Sequence, residues 1–135
     1  MTNLNFRIHT PLLVILLLMG ITIESSAQFP AEITKATQSA NSPELSEYFN
    51  SKIELVLPEK SGVFSKEQAQ LVMSSFFKNN PAQSFKIIHQ SNRQSSSFAI
   101  GKYKTQNNIF RFYFLTKTTE DKTFIHQLRI EQEDD

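Results

Sequence analysis

The second half of the chain is a series of segments in which large apolar residues alternate with other residues, and this pattern constrains the fold most. Such alternation is typical of half-buried β-strands. The last two connecting loops, residues 105–108 and 119–122, are only four residues long, the length of a hairpin loop. We therefore expect an antiparallel meander of four strands. The predicted strands are residues 85–90, 97–104, 109–117 and 123–131.

The first half of the chain carries helix signals instead. Pro30 opens a helix predicted over residues 31–40. The sequence Ser42-Pro43-Glu44 repeats that start signal. The apolar residues that follow occupy one helical face at spacings of three and four, and we expect them in a second helix. They are Leu45, Tyr48 and Phe49.

One short strand and one further helix connect these halves. Residues 53–57 alternate as a strand, and residues 59–62 are predicted to form a turn. Ser65 and Gln68 have the spacing of a capping box, and the helix that they begin is expected to end at Asn79-Asn80-Pro81. Helices, a strand, a helix and then four strands predict an α+β fold, with the helices packed on one face of a strongly curved antiparallel sheet.

Residues 1–27 have the three regions of a secretory signal peptide: a polar start, an apolar run over 12–23 and small residues before a cleavage point. We predict cleavage between Ala27 and Gln28. An uncleaved anchor is the alternative, but a helix of the apolar run is about 18 Å long against a hydrocarbon core of about 30 Å. The prediction is a single exported domain over 28–135, in the periplasm or secreted, with no membrane contact after cleavage.

Composition excludes several classes of function. The chain has 14 Lys and Arg against 13 Asp and Glu, a formal net charge of +1, so bulk attraction to nucleic acid is not expected. It has no cysteine, which excludes disulfides, thiolate metal sites and Cys nucleophiles. Glycine-rich phosphate loops and nucleophile elbows are absent from the sequence, and we expect no cofactor.

Strand pairing predicts two sheet faces. We pair Lys104 with Ile109 and Thr118 with Thr123, as four-residue loops require, and Gln90 with Ser97. The face assigned to the helix-covered core then holds Phe85, Ile87, His89, Phe98, Ile100, Lys102, Arg111, Tyr113, Leu115, His126, Leu128 and Ile130. The other face holds Ala99, Gly101, Tyr103, Phe110, Phe112, Phe114, Ile125, Gln127 and Arg129.

An apolar row on that second face is the candidate interface. Phe110, Phe112 and Phe114 would form an exposed patch of the kind that marks interaction surfaces, so we predict a homodimer packed sheet to sheet. Coverage by the terminal segments or by a curled sheet is the alternative.

The polar residues of the predicted core face are the candidate ligand pocket: Lys102, Arg111, Tyr113, His126 and His89. Lys102 and Arg111 fall opposite each other, which is unfavourable unless solvent, a carboxylate or an anionic ligand offsets the two charges. A site at the open rim, where both stems reach water, is the alternative. The tail 131–135 is expected to be solvated.

Catalysis and metal binding receive no support from these residues. The two sheet histidines are predicted to lie three strands apart, about 14 Å, too far to share one metal ion. A catalytic His126 would need an oriented acid partner, and none is recognisable. We therefore assign no catalytic residues and no metal site.

Several stretches resemble known proteins: Leu55-Val56-Leu57-Pro58, Ser65-Lys66-Glu67-Gln68-Ala69, Phe76-Phe77-Lys78-Asn79-Asn80-Pro81, Ile100-Gly101-Lys102-Tyr103, Phe110-Arg111-Phe112-Tyr113 and Leu128-Arg129-Ile130-Glu131. With the layout of elements, they resemble an uncharacterised family of small exported bacterial proteins, a domain of unknown function, with the nuclear-transport-factor-two-like (cystatin-like) fold. The resemblance implies a cone-shaped sheet with a helix-lined cavity, and often a dimer formed through the sheet. It implies no activity, because the fold serves enzymes, carriers and interaction modules alike.

Three functions follow as hypotheses. The first is a non-enzymatic module of the cell envelope that binds a small anionic or amphipathic ligand, or a partner chain, in the cone. The second is a hydrolase or isomerase that uses His126 with Tyr113 in the same cavity. The third is a structural dimeric module that works through the Phe110, Phe112 and Phe114 face.

Overall fold

The computed structural model describes residues 29–134. The predicted signal peptide, with its cleavage point at Ala27 and Gln28, lies outside the described residues. The elements in chain order are α1 (Ala31–Gln38), α2 (Ser42–Ser46), β1 (Phe49–Val56), β2 (Ser61–Ser65), α3 (Lys66–Asn79), β3 (Ser84–Arg93), β4 (Ser96–Lys104), β5 (Ile109–Thr119) and β6 (Lys122–Gln132).

The strands form one mixed sheet in the order β2-β1-β6-β5-β4-β3. Strands β3 to β6 are the predicted antiparallel meander. Strand β1 adds to β6 in parallel, and β2 pairs with β1 as a hairpin at the edge. Residues 61–65, which we assigned to a turn and a helix cap, are therefore an edge strand. The α+β fold with helices on a curved sheet is confirmed.

The capping signals are confirmed and one helix length is wrong. The Ser65 hydroxyl accepts from the Gln68 backbone N–H, and the Gln68 side chain accepts in return from the Ser65 N–H. Helix α2 begins after Asn41, whose side chain accepts from the backbone N–H of Glu44. It ends at Ser46, because Phe49 already belongs to β1. Phe49 therefore enters the core from a strand.

The helix-covered face that we assigned is wrong for β4 and β5: Tyr103 and Phe112 point into the core, whereas the opposed pair Lys102 and Arg111 lies on the outer face. The pairs Lys104–Ile109 and Thr118–Thr123 are confirmed, whereas Gln90 pairs with Ala99 and not with Ser97. The ladder between β3 and β4 shifts between Ile87 and His89. A second shift, between β5 and β6, places His126 at a bulge.

These bulges explain the error, because one extra residue moves all later side chains to the other face. Phe85, Leu128 and Ile130 consequently point to the same side as Phe112, and this side is the core. The apolar residues that we counted on the predicted core face are thus divided between the two faces.

The predicted interface row is the centre of the hydrophobic core. Phe110, Phe112 and Phe114 are 4%, 0% and 0% exposed beneath the helices, so this row is not the exposed patch we expected. The Tyr103 ring stacks on that of Phe112 with centroids 4.9 Å apart, and the Phe76 ring of α3 meets Phe110 edge to face at 5.2 Å. The Tyr103 hydroxyl donates to the carbonyl of Asn80 at the end of α3, and burial raises the pKa of Tyr103 to about 12.

Candidate functional site

The outer face of the sheet, which the helices leave uncovered, carries the residues that we predicted as a pocket. Lys102 and Arg111 lie directly opposite each other on β4 and β5, as expected. A carboxylate offsets their repulsion: Glu133 Oε2 lies 3.5 Å from Lys102 Nζ, and Glu133 Oε1 lies 3.1 Å from Arg111 Nη2. This carboxylate comes from the tail that we expected to be solvated.

The Arg111 guanidinium is held by two neighbours. A hydrogen bond with the Tyr113 side chain and the nearby Glu133 carboxylate both raise the pKa of Arg111, so its charge is permanent. Its Nε is buried and has no hydrogen-bond partner among the described residues. The cluster is therefore an ion-paired surface patch around the C-terminal tail, and it lies outside the cone.

The two histidines of the predicted pocket lie apart from this cluster. His89 is exposed on the edge strand β3, and His126 sits at the bulge of β6, with β4 and β5 between them. Burial, with the positive charge of Lys117, lowers the pKa of His126. A cation as the charged neighbour is the opposite of the carboxylate that orients a catalytic histidine.

A different site opens on the helix-covered side, between α3 and the β1–β2 hairpin. It is a cleft of about 1000 Å³, comparable to the largest small-molecule pockets. One stripe of α3 forms its long wall, with residues from Gln68 to Asn79 at spacings of three and four. At about 1.5 Å per residue this wall is roughly 16 Å long.

The lining of the cleft is apolar and neutral. The apolar part comes from the hairpin, from α3 and from the start of β5: Leu57, Pro58, Val63, Phe64, Leu71, Val72, Phe76 and Phe110. The neutral polar part is Gln68, Ser75, Asn79, Asn80, Asn108 and Gln132. Glu59 and Lys60, adjacent on the hairpin turn, complete the lining and are its only charged members within residues 29–134.

Two large apolar side chains of this cleft are exposed: Val63 at 68% and Leu71 at 70%. Our sequence analysis missed both. The signal that was available is Leu71, an apolar residue that lies outside the buried stripe of α3, which is formed by Ala69, Met73, Phe76 and Phe77. None of the five residues predicted as a pocket lines the cleft.

Metal sites and membrane-spanning helices are both absent from residues 29–134. That range contains no group of three or more His, Asp or Glu side chains arranged to hold a metal ion. None of its helices is long and apolar enough to span a membrane.

This arrangement of helices on a curved sheet places the chain in a known class of folds. A nuclear-transport-factor-two-like protein from Shewanella baltica matches with a TM-score of 0.59 at 15% identity, over 78% of this chain and 88% of that one. A protein with a cystatin-like fold from Silicibacter pomeroyi matches with a TM-score of 0.58 at 7% identity, over 77% and 72%. The fold is therefore the nuclear-transport-factor-two-like, or cystatin-like, α+β cone.

Within that class, the family is defined by sequence. The family model described as Domain of unknown function (DUF4783) matches residues 30–131. A DUF4783 family protein from Bacteroides ovatus is 34% identical, covers 82% of this chain and 100% of its own, and superposes with a TM-score of 0.76. One from Bacteroides uniformis is also 34% identical, over 80% and 100%, with a TM-score of 0.75. The chain belongs to the DUF4783 family. No curated protein matches it.

Proposed function

We propose that this protein is an exported, non-enzymatic binding module of the bacterial cell envelope, and that its working site is the cleft between α3 and the β1–β2 hairpin. The observation that carries the proposal is the pair of exposed side chains, Val63 and Leu71, on the wall of a cleft of about 1000 Å³. Export is supported by the leader pattern of residues 1–27.

The chemistry of the lining supports binding over catalysis. Of the described residues that line the cleft, only Glu59 and Lys60 are ionisable, and they are neighbours on an exposed turn. His126 and Tyr113, the pair considered for an enzyme, lie on the outer face and not in the cleft. The expected ligand has an apolar body and neutral hydrogen-bonding groups, and this replaces the anionic ligand considered for Lys102 and Arg111.

The test is a titration of the protein with n-octyl glucoside below its micelle concentration, followed by backbone amide shifts. We expect shifts at the cleft residues, and Leu71→Ser should weaken binding about tenfold, which is about 1.4 kcal/mol. Since Leu71 is exposed, the variant should fold normally. The matched control is Ile88→Ser, another exposed apolar residue, 43% accessible, on the opposite edge strand. Equal weakening in both variants, or shifts confined to the outer face, would contradict the proposal.

A second candidate function, homodimerisation, is favoured by the outer face. Phe98, Ile100, Tyr113 and Leu115 are half-buried there without helix cover, and the Phe98 and Tyr113 rings lie 6.3 Å apart. We propose that a second copy packs on these residues instead of on the buried Phe112 row. Leu115→Glu should shift the protein to the monomer in analytical ultracentrifugation, whereas Leu71→Glu in the cleft should not. A protein that sediments as a monomer before substitution would rule out this interface.

A further inference from the structure

The cleft continues around the open edge of β2. Val63 pairs with the exposed Glu54 and Phe64 pairs with the buried Ile53, so these two residues point to opposite faces of the sheet. Both nevertheless line the cleft. A single cleft reaches both faces only where the sheet ends, and β2 is the terminal strand.

The backbone groups of Val63 face that open edge. The Leu57 N–H donates to the Lys60 carbonyl and closes the hairpin. Hydrogen-bonded and non-hydrogen-bonded pairs alternate from there along an antiparallel ladder, so the Glu54–Val63 pair is of the non-hydrogen-bonded kind. The same alternation directs the Ser65 N–H away from β1, and that N–H does bond to Gln68 Oε1. The N–H and C=O groups of Ser61 and Val63 are consequently directed away from the sheet.

The two edges of the sheet are protected to different degrees. Proteins commonly guard an edge strand with charged side chains against pairing with another chain. Strand β3, at one edge, carries Lys86 and Arg93. Strand β2, at the other, reads Ser-Gly-Val-Phe-Ser and carries no charge. The edge formed by β2, beside the cleft, is therefore the edge that is suited to pairing with another chain.

We propose that the cleft receives an extended, neutral, apolar-rich peptide segment of a partner protein, which adds to β2 as a further strand. This inference rests on the proposed function and names its ligand class. The charges of the lining, Glu59 and Lys60, cancel, which matches an uncharged segment. At about 3.3 Å per residue, a wall of roughly 16 Å accommodates about five residues of extended chain. The amide side chains along α3 both donate and accept, as a peptide backbone does.

The test separates strand addition from simple apolar contact. The probe is a capped peptide pool, acetyl-Thr-Val-X-Val-Thr-amide, in which X is Leu, Phe, Tyr or Gln. It is titrated into the full chain beside the same pool N-methylated at its three central amides. N-methylation keeps the apolar surface and removes backbone donors. We expect the parent pool to protect the Val63 amide from hydrogen exchange and the methylated pool to bind at least tenfold more weakly.

A pair of protein variants provides the second readout. Val63→Pro removes the outward N–H, and proline is tolerated on an edge strand where the N–H bonds to no neighbour. Val63→Ser keeps the N–H and removes the apolar side chain. We expect Val63→Pro to weaken binding of the parent pool, because the N–H that an added strand would bond is gone, and Val63→Ser to weaken binding while the amide of residue 63 stays protected at saturation. Binding of the parent pool to Val63→Pro with undiminished affinity would overturn strand addition. An unchanged amide spectrum elsewhere verifies that both variants fold.

The failures of the two proposals are distinguishable. Equal binding of parent and methylated pools overturns strand addition and leaves the apolar cleft intact. Binding of n-octyl glucoside with no binding of either pool has the same meaning. If neither glucoside nor peptide binds, both the peptide inference and the proposed cleft function are overturned.

Discussion

At the scale of single residues, Gly101 shows how closely the core is packed. A Cβ atom added at this position would lie 2.2 Å from the Phe85 ring, a distance that no contact tolerates. The ring has nowhere to move, because Phe85 is 4% exposed and packs against Tyr103, Phe112 and Phe114. The glycine is therefore required by the close approach of a ring to the strand, and φ at this position is not positive.

We expect Gly101→Ala to lower the free energy of unfolding by about 1–3 kcal/mol through overpacking. Urea denaturation measures the loss. Gly62→Ala is the control, because its Cβ would meet the Phe64 ring at 3.3 Å on the edge strand, where the ring is partly exposed and free to shift. The double variant Gly101→Ala with Phe85→Leu should be more stable than the sum of the two losses predicts. A fully additive double variant would contradict the explanation.

At the scale of elements, the features that depend on residues close together in the sequence were predicted correctly. The capping box of α3 follows from residues three positions apart, and the two hairpin registers follow from loop length. The bulges could not be predicted from the sequence. On either side of the inserted residue, inward and outward side chains still alternate as in a regular strand. The residue at the bulge of β6, His126, is flanked by Ile125 and Gln127, and nothing in these neighbours marks the shift.

Pairing between strands that are far apart in the sequence could not be predicted either. Strand β1 lies beside β6, with Leu55 opposite Leu128, and such a parallel pairing leaves no signal in either segment alone. The cleft depends on this pairing, since it fixes the position of the hairpin that faces α3. The candidate site could consequently be located only in the structure, whereas the helix that forms its long wall was predicted from its capping box.

At the scale of the whole molecule, the C-terminal tail is joined to the middle of the sheet. The Glu133 N–H donates to the Ile109 carbonyl, and its carboxylate bridges Lys102 and Arg111. With a formal net charge of only +1 on the chain, long-range repulsion is weak, so this local arrangement dominates the electrostatics of the outer face. Glu133 is therefore the carboxylate that offsets the repulsion between Lys102 and Arg111.

Glu133→Gln tests this role, because the substitution keeps the size of the side chain and removes its charge. Lys102 and Arg111 then face each other without a counter-charge, and we expect a loss of up to about 1 kcal/mol in the free energy of unfolding at low salt. The loss should shrink in 1 M NaCl, where the screening length is about 3 Å. The matched control is Glu131→Gln, which breaks a more exposed pair with Arg129 at 3.5 Å and should cost less. A loss for Glu133→Gln that equals the control, or that does not respond to salt, would show that the tail is held by its backbone bond alone.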